Sequence, residues 1–320
     1  MKAYKGFNKD LTCRGYQYEV GKTHIYEGDI QICKQGFHAC ENPLDVLDTD
    51  YNSIDKKYYE VEVDGDIQKE DKKLVCSSIK LTDEIGFIGL FKAGIEWLKQ
   101  ITNPQAIIDN TKIENQSGDS AKIGSSGDSA KIGSSGDSAR IGSSGDSAQI
   151  GSSGNSAKIG SSGYSAKIGS SGYSAKIGSS GYYAKIGSSG DSAQIGSSGD
   201  SAKIGSSGDS AKIGSSGDYA KIGSSGYSAK IGSSGYSAKI GSSGDYAKID
   251  STGDDSVICC TGNNSIVKAK IGSWITLAEW KYSKEKRRYI PVCVKTEYVD
   301  GERIKENTWY KLENGEFKEC

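Results

Sequence analysis

The chain has 320 residues, with 40 Lys+Arg against 41 Asp+Glu, a formal net charge of −1 and 35% hydrophobic residues. Two or three ordinary domains would fit that length, but the apolar fraction excludes one large conventional core, and the charge balance excludes gripping nucleic acid through bulk positive charge. No apolar run approaches the ~20 residues needed to cross a bilayer, and eight dispersed cysteines suggest reduced thiols in an intracellular protein.

Residues 1–115 read as a compact α+β domain. The start, Met1-Lys2-Ala3-Tyr4-Lys5-Gly6-Phe7, lacks the apolar region of a signal peptide. Tyr16 to Val20, Asp29 to Cys33, Tyr58 to Val63 and Leu74 to Leu81 are strand-like. Asn42-Pro43 opens a short helix with proline in its first turn. Thr82 is placed to cap a longer one, Asp83 to Ile101, with Ile85, Ile88, Phe91, Ile95 and Leu98 as its buried stripe. Pro104 ends that segment.

From Gly118 to Thr252 the chain repeats every nine residues, close to Gly-Asp/Tyr-Ser-Ala-Lys-Ile-Gly-Ser-Ser. Ile recurs from Ile123 to Ile249 in fifteen copies, with Ala two residues before each. That spacing puts Ala and Ile on one face of an extended chain, while Gly-Ser-Ser-Gly supplies a corner. Such a period predicts a parallel β-solenoid, residues 116–271, rather than a flexible linker. Nine residues are too few to close a coil around side chains, so two units per 18-residue rung are expected, with a three-sided 27-residue rung as the alternative. Fifteen units then make seven or eight rungs, spanning roughly 35 Å at strand spacing. Bulkier residues from Gly253 to Val267 suit a closing rung, and Asp109 to Ser117 suits a degenerate first unit.

The repeats carry 13 basic and 10 acidic residues. Lys122, Lys131, Arg140, Lys158, Lys167, Lys176, Lys185, Lys203, Lys212, Lys221, Lys230, Lys239 and Lys248 share one repeat position, predicting two outward columns, one per face. Solubility is the plainest reading of these columns; a stripe that binds a polyanion or a protein is the functional one. Tyr164, Tyr173, Tyr182, Tyr227 and Tyr236 replace Asp after the first Gly, suiting either a stacked corner ladder or a recognition surface. Asp directly after Gly, exchanged for Tyr in five copies, does not fit the calcium-binding nonapeptide, so no ion is expected.

Residues 272–320 read as a C-terminal β cap of hairpins. Ser273 to Glu279 and Ile290 to Val299 are its strands, and Asp300-Gly301 and Asn314-Gly315 its turns. Trp274, Trp280, Trp309 and Tyr310 are expected to fill its core.

Catalytic and metal signals are sparse. His24 and His38 are the only histidines. Cys13, Cys33, His38 and Cys40 could supply four zinc ligands, but Cys-x4-His-x-Cys matches no standard knuckle, and buried thiols are the preferred reading. Neither a nucleophile elbow nor a phosphate-cradling Gly-x-x-x-x-Gly-Lys occurs, and no cofactor is expected.

Lys2-Ala3-Tyr4-Lys5-Gly6-Phe7, Cys13-Arg14-Gly15-Tyr16-Gln17-Tyr18-Glu19-Val20-Gly21-Lys22 and Gly36-Phe37-His38-Ala39-Cys40 resemble the N-terminal domain of uncharacterised proteins common in phages and prophages. Those relatives often carry Gly/Ser/Ala repeats and end in a segment like Val299-Asp300-Gly301-Glu302 with Trp309-Tyr310. The resemblance implies a virus-encoded protein acting in the cytoplasm of a bacterial host and implies no activity. Tyr4-Lys5-Gly6, Gly36-Phe37-His38 and Tyr58 to Val63 are also similar to ADP-ribosyltransferase-like folds, where Arg14, His38 and Glu60 or Glu62 would line a nicotinamide pocket; the diagnostic Ser-Thr-Ser segment is missing.

Together these readings predict a non-catalytic accessory protein, not membrane-bound, whose rod engages a host protein or a protein–nucleic-acid complex and inhibits a bacterial defence system. A structural spacer or fibre-like element of a virion is the alternative, and an ADP-ribosyltransferase-like enzyme the third reading. Monomer and homodimer stand equal.

Overall fold

The computed structural model describes residues 1–49, 53, 56–70, 72–102 and 118–320. It divides into two compact units, Met1–Trp97 and Leu98–Cys320. Pro104, the expected first unit Asp109 to Ser117 and the expected boundary near residue 115 lie outside the described residues.

The N-terminal unit is built on a five-stranded antiparallel sheet. Lys2–Phe7 pairs with Lys57–Glu70, which pairs with Lys73–Glu84, whose other edge takes both Thr23–Ile25 and Phe37–Ala39. Cys40 then exchanges two backbone hydrogen bonds of 2.8 Å with Tyr4, so the ladder returns to its first strand. Phe7, Tyr18, Phe37, Val61, Leu74 and Ile79 are among the buried residues enclosed there. Expected strands at Tyr58 and Leu74 are present and longer. Asp29 to Cys33 is not a strand; only Gln31 bridges, to Gln35.

Asn42 caps the 3-10 helix Pro43–Asp48 through its side chain to Leu44 N–H (3.1 Å). The α-helix begins at Gly86, later than expected, because Thr82 stays in the strand and donates its hydroxyl to Glu60 C=O (3.0 Å). Phe87, Leu90, Phe91, Ile95 and Leu98 form its buried side, while Ile85 and Ile88 are half-buried. Gly94 allows the close approach to the 3-10 helix, since a Cβ there would meet Leu44 at 2.6 Å.

In the second unit each nonapeptide makes one four-residue strand, from Lys122–Ser125 to Lys248–Ser251. Register runs from residue i to i+18, as in Arg140 to Lys158 and Gln149 to Lys167, which fixes two units per rung and excludes the 27-residue alternative. Two parallel sheets result, one through Ile123, Ile141 and Ile159, the other through Ile132, Ile150 and Ile168. From Ala139 to Ile249, Ala is fully buried and Ile at most 3% exposed, so they form the seam between the sheets. No single repeat buries enough to offset ordering nine residues; stacking supplies the rest. Corner aspartates contribute: Asp200 and Asp218 each accept an amide N–H from the next rung (2.9 and 2.7 Å).

The solenoid makes about nine turns, more than the fifteen regular units provide, because Val257–Cys260, Ile266–Ala269 and the start of Trp274–Ser283 continue it as full strands. Asp250 takes a glycine position in this closing region, and Lys268, directly across the ladder, pairs with it at 2.8 Å. The C-terminal strands pair directly onto the ends of the two solenoid sheets. Trp274–Ser283 turns back as Arg288–Tyr298 at the edge of one sheet, and Trp309–Glu313 with Glu316–Glu319 extends the other. Asn314-Gly315 is a hairpin turn with both φ values positive. Asp300-Gly301 is not: Asp300 Oδ1 instead accepts the N–H groups of Glu302, Arg303 and Ile304, shaping the loop between two strands.

Candidate functional site

The two sheets of the solenoid repeat one sequence, yet their outer faces differ. On one, Lys131, Gln149, Lys167, Lys185, Lys203, Lys221 and Lys239 lie in register and are all exposed. On the other, Lys122 is exposed, Arg140, Lys158, Lys230 and Lys248 are half-buried, and Lys176, Gln194 and Lys212 are buried, at 4%, 1% and 9% exposure. Both expected columns are present in register, one per sheet, but only the first is exposed along its length. Lys158, Lys176, Gln194, Lys212 and Lys230 each have a partner of their own.

Beside the exposed row runs a column of glycines, from Gly133 to Gly241, where an added Cβ would meet nothing within 4 Å. Lysine stems and this glycine floor enclose an open groove of about 1040 Å³. In-register lysines stand about 4.8 Å apart per rung, so their like charges favour an anionic surface laid across them.

The same row continues beyond Lys239 through Val257, Trp274 and Tyr298, which are 51%, 49% and 40% exposed. Trp274 and Tyr298 touch, with ring centroids 5.1 Å apart. Trp274 was expected in the core; it takes the lysine position of its rung, and Ile275 the isoleucine position. Trp280 and Trp309 are half-buried and only Tyr310 is buried. Trp280 donates its indole N–H to Thr261 C=O (2.8 Å).

The corner tyrosines divide between two edges. Tyr164, Tyr182 and Tyr236 precede strands that carry the exposed row, and Tyr173 and Tyr227 precede strands of the other sheet. All five are 40–56% exposed. Tyr164 and Tyr182 stack on successive rungs, 5.6 Å apart at 10°. Tyr227 meets Tyr246 at 5.0 Å. Ladder stacking and surface display thus coexist.

In the N-terminal unit a cavity of about 540 Å³ opens between the strand Lys2–Phe7, residues 13–18 and residues 33–40. It gathers Arg14, His38, Cys13, Cys33 and Cys40 from the sequence reading. Glu60 and Glu62 are not among its lining residues. Glu60 instead pairs with Lys2 at 2.7 Å.

His38 is held from both sides. Its Nε2 accepts Cys33 N–H (2.8 Å), placing the ring proton on Nδ1, and the ring also hydrogen-bonds the Gly36 backbone. Burial, then the charges of Lys5 and Arg14, lower its pKa to about 4. With its lone pair occupied and its cation disfavoured, His38 is poorly placed as a base or ligand. Among the described residues no three His, Cys, Asp or Glu side chains converge as a metal site. Cys13 and Cys40 are buried and Cys33 is exposed.

Sequence reading missed Lys5. It lies in a buried strand at 7% exposure, and its Nζ donates to His38 C=O (2.5 Å) and stands 5.6 Å from the Phe7 and Tyr18 rings. The strand is buried on both faces from Ala3 to Phe7, so no alternation in the sequence marked this lysine.

A family model described as a domain of unknown function (DUF7666) matches residues 1–93, less than a third of the chain. No curated protein and no solved structure matches the chain.

Proposed function

We propose that the protein is a binding module whose solenoid docks a protein of acidic surface through the exposed lysine row, with Trp274 and Tyr298 as the apolar anchor at its end. The observation that carries this reading is the asymmetry between the faces: one row is exposed along its length and ends in two exposed aromatic rings, while the other is half-buried or buried from Arg140 to Lys248. Lysines steer an acidic partner and set its register, while a Trp–Tyr pair supplies the contact area typical of interface hot spots. A stacked solenoid loses little conformational freedom on binding, which preserves affinity.

The resemblance to phage and prophage proteins extends this to an accessory role in a bacterial host cell, with a component of a defence system as the partner and its inhibition as the consequence. The spacer reading gains no comparable support, because antiparallel hairpins occupy the C-terminal edges of both sheets, where end-to-end stacking would continue.

The test is capture from bacterial lysate on the full chain, with and without nuclease, repeated with Lys167, Lys185, Lys203 and Lys221 changed to Glu. The reading expects a nuclease-resistant protein partner, lost in the quadruple variant and weakened at least ~30-fold by Trp274→Ala. Capture that survives the four charge reversals refutes it. Capture lost on nuclease treatment makes nucleic acid the ligand instead.

A further inference from the structure

The N-terminal cavity has a chemistry unrelated to the rod. Among the described residues Lys5, Arg14, Lys34 and Lys73 line it, with Glu27 and Asp48 as the carboxylates. Asp48 is already engaged by Lys72 at 3.1 Å. Among the described residues the Lys5 ammonium has one hydrogen bond, to a backbone carbonyl, and no carboxylate partner, although it is 7% exposed. A buried ammonium without a counter-charge is costly, and no carboxylate among the described residues offsets this one.

Two further observations point to the same place. His38, in the cavity wall, is kept neutral partly by the positive charges of Lys5, Arg14 and Lys73, so the local potential is positive. Arg14 and Cys33, also in the wall, have φ of +50° and +62°, left-handed values that cost energy in residues with a side chain and gather at binding sites. Aromatic rings form one part of the wall. Tyr16, at 43% exposure, and half-buried Tyr26 stand over the buried rings of Tyr18 and Phe37.

We propose that this cavity binds a small anion carrying a flat ring, of the nucleoside-phosphate class, its phosphate meeting Lys5 and Arg14 and its ring lying against Tyr16 and Tyr26. A volume of about 540 Å³ falls within the ordinary range for small-molecule sites. Charge-assisted bonds from lysine and arginine supply affinity for the anion, and an aromatic wall accepts any base.

The probes are AMP and GMP, titrated calorimetrically into the full-length protein, with adenosine and inorganic pyrophosphate as the ring-only and anion-only arms. Saturable binding of a nucleotide is expected, weakening with added salt, at least about tenfold tighter than either partial ligand. Lys5→Met should reduce affinity at least about tenfold while leaving the protein as stable as before or more so, since methionine removes the unpaired charge from a buried strand. Arg14→Gln and Lys73→Gln, on the cavity rim, carry the same test should Lys5→Met not fold. No binding of either nucleotide at about 5 mM overturns the proposal, as does affinity unchanged in the variants. Adenosine binding as tightly as AMP removes the anion from the claim, and pyrophosphate binding as tightly removes the ring; either result overturns the assignment. None of these outcomes depends on the lysine row.

Discussion

The two glycines of each repeat give the sharpest test of the solenoid. At Gly190 an added Cβ would stand 1.9 Å from the carbonyl oxygen of Gly172, one rung below, and nothing flexible lies between them. At Gly187, three residues earlier in the same rung, it would meet nothing within 4 Å. Restoring a tolerable contact at Gly190 requires the rungs to part by about 1 Å, roughly a fifth of the strand spacing. The hydrogen bonds Ser189 N–H to Ser170 C=O (3.0 Å) and Ser192 N–H to Tyr173 C=O (2.9 Å) flank that point and would be stretched beyond use. Two lost bonds at about 1 kcal/mol each, with a similar steric cost, predict 2–4 kcal/mol of destabilisation for Gly190→Ala. Gly187→Ala should be neutral or stabilising by up to about 1 kcal/mol, because alanine restricts the unfolded chain. Urea unfolding of the two variants, followed by hydrogen exchange across residues 167–215, separates the cases. Equal effects at the two positions would refute the stacked-corner geometry.

Other perturbations follow from particular contacts. Lys268→Met leaves the buried Asp250 carboxylate without its partner and should cost about 3 kcal/mol, while Lys268→Met with Asp250→Gly should recover most of that in a thermal melt. Burial lifts the Cys76 thiol to about 11 and the Cys260 thiol to about 12. Iodoacetamide should therefore modify exposed Cys33 and Cys259 in the native protein and reach Cys76 and Cys260 only after denaturation, as read by mass spectrometry. His38 titrates near 4 when folded against 6.5 when free. Below pH 6.5 the unfolded chain takes up a proton that the folded unit refuses, so stability falls between pH 6.5 and about 4 and is unaffected above that window. With the ring partly exposed the loss should be about 1–2 kcal/mol, seen in exchange of residues 57–84 and flattened in His38→Gln.

Much of the solenoid was legible because its period states its own register: Ala and Ile two apart define the buried face, and a corner of Gly and Ser closes each unit. The inequality of the two lysine rows was not, since Lys167 and Lys176 sit in the same local sequence and only tertiary surroundings separate them. Trp274 was misplaced for a traceable reason. Isoleucine-type residues step by nine from Ile249 to Ile258 to Val267, then by eight to Ile275, so the count slips by one and turns the tryptophan outward. Gly272, at φ +88°, makes that shortened corner. In the N-terminal unit the strands at Tyr58 and Leu74 carry a readable alternation, whereas Lys2–Phe7, buried from Ala3 onward, has none. The cavity joins segments more than twenty residues apart, so sequence proximity brought Cys33, His38 and Cys40 together but could not add Lys5 or drop Glu60 and Glu62.

The most direct measurement of the claim that one face is presented and the other is not is lysine acylation of the native full chain, quantified residue by residue with a limiting amine reagent. Modification is predicted to alternate along near-identical repeats, fast at Lys167, Lys185, Lys203 and Lys221 and slow at Lys176 and Lys212, a period of 18 residues written onto a sequence of period nine. Uniform reactivity from Lys158 to Lys239 would contradict it.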